Sequence, residues 1–294
     1  MFSIKDLECV GIVGLGLLGG SVGLALYRSL PDVRRVGYSH RPSTRRKALE
    51  AGVVDEAAGS LGQLFERAQL TILATPIGVF PEMLQKLAGV LSPGSLVTDV
   101  GSTKVLPVRW GRKLLPRSVE FIGSHPIAGS EQQGVGFSRA DLFDQANCIM
   151  TPTAANSGWA IKLVEQFWQA LGMSISRMSP AQHDKLLARV SHLPHLVATA
   201  LVNSVTLGDA RYCGKGFLDT TRIASGPAGV WRDILMTNAD QTDRSITSLI
   251  RELTRMQKAL RSGKGKQIEQ MLDKARTQRN HLVNMKLQRK ELPA

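Results

Sequence analysis

The run Gly14-Leu15-Gly16-Leu17-Leu18-Gly19 follows directly on the apolar stretch Cys9-Val10-Gly11-Ile12-Val13. A strand that passes at once into G-x-G-x-x-G and then into an apolar helix narrows the choice of folds more than any other feature of the chain. Gly14 permits the tight turn, Gly16 lets the backbone approach a pyrophosphate, and Gly19 lets the helix pack on the strand. The free N–H groups and partial positive charge of the helix N-terminus suit phosphate. Gly14, Leu15, Gly16, Leu17, Leu18 and Gly19 are therefore candidate dinucleotide-binding residues.

The residues that follow agree with that fold. Short apolar runs at Arg35–Ser39, Leu70–Ala74, Leu96–Val100, Glu120–Gly123 and Asn147–Met150 read as buried strands. Helical patterns lie near Gly20–Leu30, Arg45–Ala51, Leu61–Ala68 and Phe80–Leu91. Strands alternating with helices predict an α/β, Rossmann-like, doubly wound parallel sheet. After about Thr153 the pattern changes. Ser157–Leu171 reads as a helix, Met173–Met178 as a short strand, and nearly everything beyond Ser179 as helix. Ser179-Pro180 is a helix start, and Pro194 predicts a bend. A length of 294 residues suits two domains. We expect residues 1–155 to form the nucleotide-binding domain and 156–294 a helical one.

The second strand ends near Tyr38-Ser39, where an NAD site usually carries an acid for the ribose 2′-hydroxyl. Here Ser39-His40-Arg41-Pro42-Ser43-Thr44-Arg45-Arg46 has none. A carboxylate repels a 2′-phosphate, whereas hydroxyls and guanidinium groups bind one. Ser39, His40, Arg41 and Thr44 thus point to NADP rather than NAD, with NAD as the alternative. Under the bland reading, some of the basic residues there are a solvated helix start. Thr75-Pro76 ends another strand close to where ribose and nicotinamide are expected.

Charge bears on partners. Lys and Arg total 37 against 24 Asp and Glu, a formal net charge of +13. The excess is concentrated in the last helices and between Arg28 and Lys47. The last helices read as a solvated face, and the second cluster falls at the cofactor phosphate. A nucleic-acid-binding protein is a rival on charge alone. It has no recognisable motif in its favour and only 5% aromatics for stacking. No apolar window is long enough for a transmembrane helix. The first residues lack the order of a secretion signal. Three scattered cysteines argue against a disulfide framework and for a reducing compartment. Those features together predict a cytoplasmic protein without nucleic-acid or membrane partners.

Polar residues cluster at later strand ends: Asp99-Val100-Gly101-Ser102-Thr103-Lys104 and Gly123-Ser124-His125-Pro126-Ile127-Ala128-Gly129-Ser130-Glu131. Ligands bind beyond the carboxyl ends of such strands, so Ser102 and His125 point to the cofactor crevice. Two helical segments add Ser191-His192-Leu193-Pro194-His195 and Asp219-Thr220-Thr221-Arg222-Ile223-Ala224. His192 and His195 lie three apart on one helix face. No third ligand accompanies them at metal spacing, so no metal site is expected.

Together with the glycine loop, these segments resemble the prephenate/arogenate dehydrogenases of tyrosine biosynthesis, over nearly the whole chain. The resemblance implies a Rossmann-like N-terminal domain and a helical C-terminal domain through which two chains form a homodimer. It leaves no room for a fused mutase or full regulatory domain. It implies oxidative decarboxylation of a cyclohexadienol, arogenate to tyrosine or prephenate to 4-hydroxyphenylpyruvate, with hydride passing to the nicotinamide. His125 would accept the proton of the ring hydroxyl, a task suited to histidine near neutral pH. By the same resemblance Ser102 positions that hydroxyl and Arg222 grips a carboxylate. Ser191, His192 and His195 form an edge of the substrate pocket; the bland reading makes one of the histidines a satisfied core residue. Glu131 gates the pocket, binds a substrate amine, or is a solvated loop acid. The Ser39–Thr44 pattern is similar to NADP-using arogenate enzymes, whereas His195 resembles members that accept prephenate. The balance favours arogenate with dual use. The rivals are a dehydrogenase of the β-hydroxyacid type, which would carry a catalytic lysine on a C-terminal helix, and a non-catalytic NADP-binding protein.

Overall fold

A computed structural model describes residues 3–65, 68–129 and 132–288. The strands are β1 (Cys9–Val13), β2 (Arg34–Tyr38), β3 (Glu56–Ala57), β4 (Leu70–Leu73), β5 (Leu96–Asp99), β6 (Glu120–Pro126), β7 (Asn147–Thr151) and β8 (Ser174–Arg177). They form one sheet in the order β3-β2-β1-β4-β5-β6-β7-β8. Pairing is parallel from β3 through β6 and again between β7 and β8. Only the β6–β7 pair is antiparallel among the described residues. The strand order reverses between β1 and β4, the kind of switch point at which doubly wound sheets bind ligands.

The helices around the sheet are α1 (Leu17–Ser29), α2 (Pro42–Glu50), α3 (Leu61–Phe65), α4 (Phe80–Ala88), α5 (Val105–Leu114) and α6 (Gly158–Ala170). Alternation along each strand feeds two cores. Val10 and Ile12 of β1 face Leu26, Ile72 and Trp168, whereas Cys9 and Val13 face Phe80, Leu84 and Phe121. α6 packs in the first of these cores and β8 extends the sheet, so the layer continues past residue 155.

Next come α7 (Pro180–Leu187), a π turn over Ala188–His192, α8 (Leu193–Asn203), α9 (Lys215–Thr221) and α10 (Ala228–Thr237). Ser179 caps α7 as expected: its hydroxyl accepts from Gln182 N, and the Gln182 side chain accepts from Ser179 N. Pro194, expected to bend a helix, falls in the first turn of α8, directly after the π turn. Proline has no N–H to offer the preceding turn, and the widened loop of backbone accommodates that. The chain divides into two compact units, Met1–Ala239 and Asp240–Ala294. The second holds most of α11 (Ala239–Arg261) and all of α12 (Gly265–Gln288). These helices leave Ile250, Leu253, Leu260, Leu272 and Leu282 exposed on the single chain.

Several elements differ from the sequence reading. α1 starts at Leu17, so Gly19 lies inside the helix rather than before it. β6 runs on to Pro126 because β7 pairs along it, with His125 opposite Ile149. α5 was not expected; its Pro107 sits in the first turn, where the missing N–H costs nothing. β3, at two residues, is too short to leave a pattern.

Gly14 has φ +101°, in the left-handed region, and a Cβ on Gly19 would lie 1.9 Å from the Gly14 carbonyl oxygen. Gly19→Ala therefore forces α1 away from β1. We expect a loss of about 1–3 kcal/mol in stability, read by denaturant unfolding, with weakened dinucleotide binding by fluorescence titration. A variant with unaltered stability and affinity would contradict this packing.

Candidate active site

The glycine loop and the ends of β2 and β4 line one cleft of about 840 Å³. Gly14, Leu15, Gly16, Ser39, His40, Arg41, Thr44, Thr75 and Pro76 all border it. Leu17 and Leu18 do not; they open α1 half-buried. The cleft fits a dinucleotide on three local counts. A Cβ on Gly16 would meet nothing within 4 Å, so a ligand can reach the backbone there. The buried hydroxyl of Thr75 has no hydrogen-bond partner. The first N–H groups of α1 are uncapped by any side chain. Beside Ser39, Arg45 donates to the Ser39 carbonyl at 2.6 Å, which fixes the turn into α2.

The polar centre lies at the ends of β5 and β6. Asp99 closes β5 and is fully buried with Lys104, whose ammonium pairs with Asp99 Oδ2. The same carboxylate accepts from Gly101 N at 2.8 Å and from Ser124 N at 3.0 Å. Burial pushes the Asp99 carboxyl up, and the Lys104 charge and these N–H groups oppose that. Ser102 sits half-buried within this braced loop.

His125 is 9% exposed. Its Nδ1 lies 2.8 Å from Nε2 of His183, and Nδ1 of His183 lies 2.8 Å from Oδ1 of Asp184. Asp184 in turn accepts from Lys104 N at 2.7 Å and from Val105 N at 2.8 Å, at the start of α5. Burial holds the His125 imidazole well below the usual histidine range, aided by His183, Lys104 and His192. His125 is therefore neutral at neutral pH and able to take a proton.

The π turn and α8 supply the other histidines. Asn238 Nδ2 donates to the Asp184 carbonyl at 2.8 Å and lies 3.2 Å from His192 Nδ1. Burial pushes the His192 pKa down to about 4. His195 stacks on Trp231, with ring centroids 3.5 Å apart and planes 9° from parallel. Burial lowers its pKa as well, and the Ile223 carbonyl opposes the shift. His192 Nε2 and His195 Nδ1 are buried without partners, and Ser191 is half-buried beside them. Arg222 is exposed at the head of a short turn, Arg222–Ser225, that packs on α8 next to His195. Glu131 lies outside the described residues.

His183, Asp184, Asn238 and Trp231 were not anticipated. His183-Asp184 sits one turn inside a helix whose visible signal was its Leu186 and Leu187 pattern. Polar residues there read as surface until the α5 N-terminus is seen to meet them. Trp231 and Asn238 come from the far end of the unit and carry no local motif.

The histidines share one sign of pH dependence. His125, His183, His192 and His195 all have folded pKa values below 6.5. Between about 4 and 6.5 the unfolded chain binds more protons, so stability present above 6.5 is lost as pH falls through that window. We expect the denaturation midpoint to drop across it, and less so in His192→Asn. A flat profile there would contradict burial of these rings in the neutral form.

A family model described as prephenate dehydrogenase, nucleotide-binding domain, matches residues 22–177, and one described as prephenate dehydrogenase, dimerization domain, matches residues 179–274. Prephenate dehydrogenase of Bacillus subtilis is 34% identical over 263 residues, covering 87% of this chain and 70% of that protein. Prephenate dehydrogenase of Aquifex aeolicus, solved in complex with hydroxyphenyl propionate and NAD+, superposes with a TM-score of 0.89 at 32% identity, covering 94% of this chain and 98% of that one. Arogenate dehydrogenase of Synechocystis superposes with a TM-score of 0.81 at 29% identity, covering 94% and 100%. With the glycine loop, the buried His125 and matches along both halves of its length, the chain belongs to the prephenate dehydrogenase family of oxidoreductases.

Proposed function

We propose that the chain oxidatively decarboxylates arogenate, with prephenate as a second substrate, and that NADP is its preferred cofactor. The observation that carries the chemistry is His125: a buried, neutral imidazole at the carboxyl end of the sheet. Ser39, Arg41 and Thr44 border the cleft at the end of β2, where hydroxyl and guanidinium groups suit a 2′-phosphate. Gly14, Gly16 and the start of α1 would hold the pyrophosphate, with Thr75 and Pro76 toward the nicotinamide end. A bound nicotinamide dinucleotide supplies the hydride acceptor.

His125 takes the proton of the ring hydroxyl as hydride leaves the same carbon, and Ser102 orients that hydroxyl. The ring carboxylate departs as CO2, and aromatisation drives the step. Arg222 holds a carboxylate by a two-pronged hydrogen bond. Ser191, His192 and His195 form the edge facing the substrate side chain; the unpartnered nitrogens of the two histidines support that reading. We further propose a nucleotide-binding part that begins with residues 1–155 and takes in α6 and β8, followed by a helical substrate and dimerisation part. The exposed leucines of α11 and α12, and the description of the second family model, support a homodimer.

Rates with arogenate and prephenate, each with NADP and NAD, test the assignment. Arogenate with NADP is expected to be fastest. Prephenate or NAD ahead would overturn that choice of substrate or cofactor, and no turnover in any combination would overturn the reaction.

His125→Asn is expected to lower kcat by about 100-fold or more with dinucleotide affinity preserved. In the unaltered enzyme kcat should fall on acidification with a midpoint below 6.5, because protonated His125 cannot accept. Near-normal turnover in the variant would remove His125 from the chemistry.

A further inference from the structure

Asp184 lies where two backbone donors converge. The N–H groups of Lys104 and Val105 point at its two oxygens at 2.7 and 2.8 Å, so both oxygens accept. His183 Nδ1 faces one of those oxygens at 2.8 Å and must donate to it. A neutral imidazole carries one N–H, so His183 Nε2 holds a lone pair. His125 Nδ1 is 2.8 Å from that lone pair and therefore donates. The remaining nitrogen, His125 Nε2, has no hydrogen-bond partner among the described residues.

We infer that His183 and Asp184 are positioning residues that lock His125 in the tautomer whose Nε2 is unprotonated, so that a lone pair is presented to the substrate hydroxyl. This rests on the reading of His125 as proton acceptor. The α5 N-terminus sets Asp184, Asp184 sets His183, and His183 sets His125. Burial of His125 and His183 in neutral form accords with the chain of donors. In the reaction the substrate O–H bond breaks, its electron pair stays on oxygen, and its proton bonds to Nε2. His125 becomes an imidazolium that keeps its Nδ1–H on His183. No electron passes to the protein, and the positive charge faces Asp184 through one neutral ring. Once hydride and CO2 have left, the ring oxygen is a phenolate, and the same proton returns to it from Nε2, so the product departs as the phenol and His125 is again neutral.

The groups that face His125 and His183 are Lys104 with Asp99 from the β5–α5 segment, Asp184 from α7 and His192 from the π turn. The Lys104 charge lies on the opposite side of the balance from Asp184. Without His183 that charge would act on a freely tautomerising His125.

Two substitutions separate positioning from mere packing. His183→Leu removes both the acceptor for His125 and the donor to Asp184. His183→Gln restores both, because its oxygen accepts from His125 and its amide N–H donates to Asp184. We expect kcat to fall about 100-fold in the Leu variant with KM within about twofold, and most of it to return in the Gln variant. The 15N spectrum of the imidazoles gives a readout independent of turnover. His125 Nε2 should appear unprotonated in the unaltered and Gln proteins and shared between tautomers in the Leu protein. A protonated Nε2 in the unaltered protein would overturn the inference, as would unchanged kcat in the Leu variant. If the Leu variant does not fold, the unaltered protein's 15N spectrum and the Gln variant's kcat decide. Failure of the proton-acceptor reading itself would appear separately, as turnover in His125→Asn.

Discussion

The site depends on one buried ion pair. Asp99 and Lys104 are both inaccessible to solvent; the Asp99 carboxylate also accepts from two backbone N–H groups, and the Lys104 backbone N–H donates to Asp184. Asp99 ties the loop carrying Ser102 to the strand carrying His125, through Gly101 N and Ser124 N. Lys104 is the residue before α5, and its own N–H reaches Asp184 on α7. Sheet end, loop and helix are thus held by the Asp99–Lys104 pair together with the Asp184 carboxylate. Removing one partner of such a pair leaves an uncompensated buried charge, at a cost of about 3–5 kcal/mol. That penalty makes the local arrangement all-or-none, which is what a site needs if hydroxyl, base and hydride acceptor are to align.

Around that pair the centre is buried and rich in imidazoles. Four histidines are buried, and burial holds each below the ordinary imidazole range. A solvated histidine would be partly protonated near neutral pH and divided between tautomers. Here desolvation sets the protonation state, and for His125 and His183 the tautomer is set by hydrogen bonds that end on the α5 N-terminus. The stacking of His195 on Trp231 serves a similar end, fixing a ring that water would otherwise leave free to turn.

How much was legible in the sequence follows from the range of each interaction. The glycine loop was legible because strand, turn and helix are contiguous and each glycine has a local steric reason. Ser39, Thr75, Ser102 and His125 were legible as strand-end residues because the sheet is parallel and every such end opens on one edge. β7 was legible as a strand but not as antiparallel, since direction depends on the connection through residues 127–146 and not on its own side chains. The longer β6 follows from that pairing, so His125 stands on a strand braced from both sides.

His183 and Asp184 mark the limit. Nothing in Ser179-Pro180-Ala181-Gln182-His183-Asp184 distinguishes an inward polar pair from a solvated first turn. The sequence by itself determined the nucleotide-binding half, its glycine loop and the residue types offered at the strand ends, because those depend on contacts between near neighbours in the chain. Only the tertiary structure decided which nitrogen of His125 carries the proton. That choice needs a helix N-terminus, a carboxylate and a second imidazole brought together from β6, α5 and α7, and no local pattern records their meeting.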